Sequence, residues 1–249
     1  MSHPILLCYH AVSESWPAPL SVTPRALERQ LRLLGQRGYS GETFTDAIRA
    51  PEGAKTMAVT FDDAYRSVFE IAFPILSKLG HRGTVFVPSS FAGSEAPMAW
   101  PGIDQWFGGP HEPELLPMSW DQLRRLAEAG WEIGSHSRTH PMLTQLDDDA
   151  VARELADSRR ECEEGLGRPC TSVAYPYGDH DERIVRAARE AGYETGCSLY
   201  TRHPPEPLCW PRIGVYHPDD GARFRLKVSP VGRHFRASRA FGYLNALRD

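Results

Sequence analysis

The chain has 249 residues, of which 41% are hydrophobic and 24% are charged, and its formal net charge is -4 at pH 7. This length and apolar content suffice for one large α/β domain with a sizeable core, so we expect residues 1–249 to fold as a single domain. The slightly acidic charge argues against a general nucleic-acid-binding protein.

Strands and helices are predicted to alternate along the N-terminal half. Thr23 followed by Pro24 indicates a helix start, because a threonine hydroxyl caps free backbone N–H groups and proline fits the first turn. Short apolar runs bounded by turn residues indicate buried strands. The predicted elements are a strand at 5–9, a helix at 23–38, a short helix near 43–50, a strand at 57–61, a helix at 65–79 and a strand at 83–87.

The segment 89–118 interrupts this alternation. It is rich in glycine and proline, and it contains Trp100, Trp106, Phe107 and His111. Long irregular segments of this kind are commonly functional. The aromatic rings are therefore interpreted as one wall of a substrate site, with inward packing onto the domain as the alternative.

The C-terminal half continues the alternation. Its predicted elements are a helix at 119–129, a strand at 131–135, a long amphipathic helix at 147–166, a strand that begins at 172, a helix at 181–191 and weaker strands at 197–199 and 213–215. Parallel strands connected by helices form a barrel, and catalytic residues of such barrels sit at the C-terminal ends of the strands.

Two groups of metal-ligand side chains follow predicted strands. Asp62 and Asp63 follow the strand at 57–61, and a His-xxx-His pattern joins His136 to His140. Either pattern alone is common in turns, caps and helix surfaces, but both groups are expected on one rim of the barrel. Asp63 and the two histidines match the three protein ligands of a catalytic zinc site, whose fourth position is kept for water. Asp62 would then be free to accept a proton as a general base.

A third segment completes the pattern, because the strand that begins at Ser172 leads into Tyr175-Pro176-Tyr177-Gly178. With these three motifs in this order, the chain resembles the polysaccharide deacetylase family, also called the NodB-homology or carbohydrate esterase 4 family. The resemblance extends from Ile5 to about Val215. It implies an α/β fold, a distorted (β/α) barrel with about seven parallel strands.

The resemblance also implies an activity and a set of site residues. The implied reaction is metal-dependent removal of the N-acetyl group from an acetylated amino sugar in a glycan or glycolipid intermediate. Asp62 is implied as the base and Tyr177 as a backbone N–H donor to the oxyanion, a contact typically worth about 3 kcal/mol. The implied ligands of one divalent ion are Asp63, His136 and His140. We expect Zn²⁺, although one carboxylate and two imidazoles also suit Co²⁺, Ni²⁺ or Fe²⁺.

Two other types of function keep part of this pattern. A metal-dependent esterase or amidase would use the same residues on O-acetyl sugars or on a small nitrogenous molecule. An inactive carbohydrate-binding relic would be expected to have lost a metal ligand or the base, yet all three ligands and the base are present.

The chain departs from the commonest family pattern at two positions. The arginine that many members carry at the start of the third motif is missing, since that stretch begins Val173-Ala174. Arg212 is the expected replacement, because a bidentate guanidinium would hold Asp62 ionised and fixed. An exposed surface arginine is the alternative. Replacement of Arg212 is expected to lower turnover with little change in stability.

The second departure concerns the general acid, because the Leu-x-His that many members carry near the C-terminus is absent. His10 is the candidate, since it follows the first strand and should lie on the same rim as Asp62. Some deacetylases that resemble this chain also have Tyr-His after the first strand, which implies this role. His217 is the rival, and a structural role for His10 is the third interpretation.

The C-terminal segment 220–249 is basic. Its cations are Arg223, Arg225, Lys227, Arg233, Arg236 and Arg239, and its aromatic residues are Phe224, Phe235 and Phe241. Such a segment is either a solvated face or a peripheral contact with an anionic membrane. The N-terminus lacks a basic region and a long apolar run, and no stretch approaches the ~20 apolar residues of a membrane span, so we expect a cytoplasmic protein.

The cysteines are odd in number and show no Cys-x-x-Cys spacing. They are Cys8, Cys162, Cys170, Cys197 and Cys209. We therefore expect reduced packing residues.

Overall fold

The computed structural model of the chain describes residues 4–199 and 206–236. The strands in these ranges are β1 (Ile5–Tyr9), β2 (Ala11–Val12), β3 (Ser21–Val22), β4 (Ser40–Glu42), β5 (Thr56–Phe61), β6 (Thr84–Val87), β7 (Glu132–Ser135), β8 (Ser172–Ala174), β9 (Thr195–Ser198), β10 (Trp210–Pro211) and β11 (Ile213–Gly214). The α-helices are α1 (Pro24–Gln36), α2 (Phe44–Arg49), α3 (Phe73–Lys78), α4 (Trp120–Glu128), α5 (Asp148–Leu166), α6 (Glu182–Glu190), α7 (Gly221–Val228) and α8 (Pro230–Arg236).

The main sheet is a nearly closed barrel of parallel strands. Its order is β10–β9–β8–β7–β6–β5–β1–β11, and β4 pairs with β5 outside this path. β10 and β11 are separated only by Arg212, and they pair with β9 and β1 respectively. This one segment therefore joins the two edges of the sheet, and the prediction of a distorted barrel with about seven parallel strands is confirmed.

The helix predicted at 65–79 has a different form in the structure. A single π-helical turn, Val68–Ala72, precedes α3. Pro74 cannot donate to a backbone carbonyl, and its ring would clash with the carbonyl four residues earlier in a regular helix. The wider turn relieves this clash, since Phe73 N–H donates to Val68 O five residues earlier.

Three short strands were not predicted from the sequence. β2 and β3 form a separate parallel pair, and β4 pairs with the first half of β5. Strands of two or three residues are too short for their alternation to be visible in a sequence.

The polar residues of interest lie at one rim of the barrel. β1 and β5 are buried along their whole length, as expected for parallel strands covered on both faces. His10 follows β1, Asp62 follows β5 and His136 follows β7. Parallel strand direction therefore places these side chains together.

The described residues contain no helix that is both long and apolar enough to cross a membrane. All five cysteines are buried and free, as predicted. Within the basic C-terminal segment, Phe224 is buried and Phe235 is exposed. Lys227 pairs with Asp219 and donates to Gly214 O at 2.9 Å, so this cation is held by the domain. The side chain of Arg236 and residues 237–249, which include Arg239 and Phe241, lie outside the described residues.

Candidate active site

Left-handed backbone is concentrated around the rim. In the described chain, the non-glycine residues with positive φ are Asp63 (68°), Ala64 (53°), Ser137 (60°), His140 (62°) and Tyr177 (59°). Such conformations cost about 1 to 3 kcal/mol each and persist only where the surrounding structure enforces them. Asp63, His140 and Tyr177 were predicted from the sequence as candidate site residues.

Asp62 and Arg212 form a buried bidentate ion pair. Arg212 Nη1 donates to Asp62 Oδ1 at 2.6 Å, and Nη2 donates to Oδ2 at 2.7 Å. Nη1 also donates to Thr60 Oγ1 at 2.8 Å, and the guanidinium lies 5.3 Å from the ring centroid of Phe86. The side chain of Arg212 is 0% exposed and that of Asp62 is 4% exposed. The interruption between β10 and β11 thus coincides with an arginine directed into the barrel.

The ion pair determines the protonation state of Asp62. Burial, the largest single influence, would on its own raise the pKa of this carboxyl. The charge and hydrogen bonds of Arg212, together with the neighbouring His136 and His10, outweigh burial and hold the pKa well below its usual range. Asp62 is therefore ionised at neutral pH, which is the state that a general base requires.

Cys8 is a further contact of Asp62 that was not predicted from the sequence. Its Sγ donates to Asp62 Oδ2 at 3.3 Å, and burial raises the pKa of this thiol well above its ordinary value, so it stays a donor. Alternation along β1 offered a signal, because residues two apart face the same side of a strand. Cys8 and His10 are such a pair.

Asp63, His136 and His140 form a buried cluster of metal-ligand type. Asp63 Oδ1 lies 3.2 Å from His140 Nε2 and 3.5 Å from His136 Nε2. Two atoms that each bind a tetrahedral ion at about 2.1 Å are about 3.4 Å apart, so both distances match neighbouring ligands. The three sequence-predicted ligands are therefore brought together with suitable spacing.

The donor atoms of this cluster also fit a divalent cation. Asp63 Oδ1 is buried and makes no hydrogen bond within the described residues. Burial lowers the pKa of His136 to about 4, so its ring is neutral at neutral pH. His136 Nδ1 donates to Ala174 O at 2.8 Å, which leaves Nε2 with its lone pair free to bind a metal, 3.5 Å from Asp63 Oδ1.

β7, the strand that precedes His136, approaches its neighbours closely. A Cβ at Gly134 would lie 2.5 Å from Ser172 Oγ and 2.7 Å from the ring of Phe86. Glycine is therefore required at this position, and the tight packing of β7 fixes the position from which His136 projects.

The two candidates for the general acid have different surroundings. His10 belongs to a buried cluster with Cys8 and Asp62. One ring nitrogen of His10, the Cys8 Sγ and one Asp62 carboxylate oxygen lie within 4.8 Å of one another. His10 also lines a large groove at this rim of the barrel, and its buried Nδ1 has no hydrogen-bond partner among the described residues. His217 instead donates from Nδ1 to Ser21 O at 3.3 Å, beside the β2–β3 pair.

The groove above these residues has a volume of about 1320 Å³. Ordinary small-molecule pockets occupy roughly 300 to 1,000 Å³, so this groove suits an extended ligand. Tyr177 lies in it beside His140, with ring centroids 4.7 Å apart, and its hydroxyl donates to Pro101 O at 3.3 Å.

The segment 89–118 forms part of the groove and also packs inward. Trp100 and Trp106 line the groove. Trp106 contacts Trp16 edge to face at 5.8 Å and His111 at 5.6 Å. Phe107 is 40% exposed. The tryptophans therefore pack inward and also face the groove, and their role as a substrate wall stays a prediction.

Comparisons with known proteins agree with this geometry. Residues 49–196 match the family model described as polysaccharide deacetylase. YxkH of Bacillus subtilis (strain 168) is 27% identical over 233 residues, which cover 90% of this chain and 71% of that protein. A poly-beta-1,6-N-acetyl-D-glucosamine N-deacetylase of Staphylococcus aureus (strain MRSA252) is 23% identical over 194 residues, which cover 72% of this chain and 61% of that protein.

Two solved structures share the fold. Streptococcus pyogenes deacetylase PplD in complex with acetate has a TM-score of 0.74 at 20% identity, covering 92% of this chain and 99% of its own. IcaB from Ammonifex degensii has a TM-score of 0.74 at 22% identity, covering 95% of this chain and 97% of its own.

Proposed function

The chain belongs to the polysaccharide deacetylase family, and on that premise we propose that it is a metal-dependent N-deacetylase of an acetylated amino sugar in a glycan or glycolipid intermediate. One observation carries the proposal. An ionised carboxylate, Asp62, is fixed by Arg212 with its Oδ2 3.9 Å from His136 of the cluster of Asp63, His136 and His140.

The metal and the base would have different roles in amide hydrolysis. A divalent ion held by Asp63, His136 and His140 would polarise the acetyl carbonyl and lower the pKa of a water molecule. Asp62 would accept the proton of the attacking water, since its Oδ2 lies 3.9 Å from His136 Nε2 and thus borders the metal ligands. Arg212 would keep Asp62 ionised and aligned throughout.

Two further groups would complete the reaction. The amine leaves only when its nitrogen is protonated, and His10 is the proposed donor because it shares a cluster with Asp62. The backbone N–H of Tyr177 is the proposed donor to the oxyanion, and its left-handed φ of 59° directs the peptide away from a regular strand. One water molecule is consumed, and acetate and a free amine are released.

An amino-sugar polymer is the proposed substrate class. The S. aureus relative is named a deacetylase of poly-beta-1,6-N-acetyl-D-glucosamine, and the groove volume of about 1320 Å³ exceeds that of an ordinary small-molecule pocket. The chain spans about three fifths of that relative's length.

Acetate release is the direct test of this proposal. Wild-type protein, chelator-treated protein and Asp62→Asn are compared on β-1,6-linked and β-1,4-linked N-acetylglucosamine oligomers and on O-acetylated sugars. We expect release from an N-acetylated oligomer that a chelator abolishes and that added Zn²⁺ restores. Release from O-acetyl sugars alone would instead assign an esterase, and release that resists the chelator would contradict the metal site.

A further inference from the structure

The two histidines of the metal-ligand cluster are oriented in different ways. His136 Nδ1 donates to a backbone carbonyl, Ala174 O, at 2.8 Å. His140 Nδ1 is buried and has no hydrogen-bond partner in the part of the chain that the structure describes. Metal-binding histidines almost always donate their second N–H to an oxygen that fixes the ring. His140 therefore requires another means of orientation.

Ring packing provides that orientation. The ring of Trp100 stacks on the ring of His140 with centroids 4.2 Å apart and planes inclined by 25°. Tyr177 contacts His140 edge to face, at 4.7 Å and 63°. His140 also has a left-handed φ of 62°, so its backbone conformation needs support from its neighbours.

Trp100 is itself held firmly. It is 7% exposed and contacts Phe91 edge to face at 5.2 Å. Its carbonyl accepts from Ile103 N–H at 3.2 Å, and the next carbonyl, Pro101 O, accepts from the Tyr177 hydroxyl at 3.3 Å. The indole is thus a fixed surface against which an imidazole can rest.

We propose that Trp100 is a positioning residue of the metal centre, which orients His140 by stacking in place of the missing outer hydrogen bond. This inference rests on the proposed metal site. It gives the segment 89–118 a second role, since the wall of the groove would also set the geometry of a ligand.

Measurement of metal affinity tests the inference independently of catalytic activity. Trp100→Leu fills much of the space but cannot stack, whereas Trp100→Phe keeps an aromatic face. Trp106→Leu is the matched control, because Trp106 lines the same groove from the same segment but contacts Trp16 instead of a ligand. Zn²⁺ dissociation constants are measured by competition with a chromophoric chelator, and near-ultraviolet circular dichroism checks that each variant is folded.

Loss of an outer partner of a ligand typically weakens metal binding by about 10- to 100-fold. We expect a loss of this size in Trp100→Leu, a smaller loss in Trp100→Phe and none in Trp106→Leu. Equal affinities in wild type and Trp100→Leu would overturn the inference, as would an equal loss in Trp106→Leu. Absence of Zn²⁺ binding by wild type would instead refute the proposed function.

A second measurement applies if Trp100→Leu does not fold. Protein labelled with 5-fluorotryptophan is titrated with Zn²⁺, and the Trp100 resonance is assigned from its disappearance in Trp100→Phe. We expect this resonance to shift on metal binding more than that of Trp106. An unchanged Trp100 resonance in metal-loaded protein would overturn the inference.

Discussion

Replacement of Arg212 by methionine removes one partner of a fully buried ion pair. The guanidinium makes hydrogen bonds of 2.6 and 2.7 Å to the two Asp62 oxygens. Removal of one partner leaves an uncompensated buried charge, which typically costs about 3 to 5 kcal/mol of folding free energy. The sequence alone suggested a small effect on stability, but the burial of Arg212 leads us to expect a large one.

The folding free energy that Arg212→Met loses should depend on pH. In the wild type Arg212 lowers the pKa of Asp62, so the pair contributes its full stability above the unfolded pKa of about 3.9 and loses it as pH falls through the lower folded value. In Arg212→Met the charge and hydrogen bonds of the guanidinium are lost, and burial then raises the pKa of Asp62 above its wild-type value against the smaller opposing effects of His136 and His10. The variant is therefore penalised most at neutral pH, and the penalty shrinks as pH falls through the raised pKa.

Urea unfolding with a chelator present measures the difference in free energy of unfolding between wild type and Arg212→Met, because bound metal then makes no contribution. Arg49→Met is the matched control, since Arg49 pairs with Glu194 at 2.9 Å but is 59% exposed, and such surface pairs are worth about 0 to 1 kcal/mol. Arg212→Lys keeps the charge without the bidentate geometry and should lie between wild type and Arg212→Met.

Acetate release from the metal-loaded variants completes the test. We expect lower kcat in Arg212→Met and an acidic limb of the pH profile that moves to higher pH, because the base then has a raised pKa. A stability loss no larger than that of Arg49→Met would refute the energetic reasoning. A large stability loss with an unmoved acidic limb would show that Arg212 supports the fold but does not tune the base.

Three further predictions concern the remaining site residues. His136→Ala should lose the metal, and equal metal content in this variant and wild type by elemental analysis would contradict the ligand assignment. Asp62→Asn should retain the metal in the same assay but lose about 100- to 10,000-fold in turnover, because a base is removed and not a ligand; near-normal acetate release would exclude Asp62 as the base. His10→Ala should keep the metal, lose most turnover and flatten the alkaline limb of the pH profile, whereas His217→Ala should resemble wild type; the reverse pattern would transfer the role to His217.

The local motifs could be found from the sequence because they depend on short-range patterns. Asp62 and Asp63 follow a buried apolar run, and the His136 and His140 pair follows another. Parallel strands joined by helices place all such strand ends on one rim, so the sequence determined that these four residues meet.

Contacts between distant parts of the chain depended on the tertiary structure. Cys8 and Asp62 are 54 positions apart, and their contact follows from the register of β1 with β5. The stacking of Trp100 on His140 depends on how an irregular segment folds over the rim, and no periodicity encodes that path.

Arg212 was predicted in part from the sequence and in part only from the tertiary structure. The sequence indicated that an arginine was needed beside Asp62 and identified a candidate, but most arginines are exposed and sequence offers no test of burial. The barrel closes through β10 and β11 on either side of this residue, which directs its guanidinium inward across 150 positions of sequence to Asp62. Local pattern thus determined which chemical groups lie on the rim, whereas closure of the barrel decided which of them touch, because contact between remote residues is a property of packing.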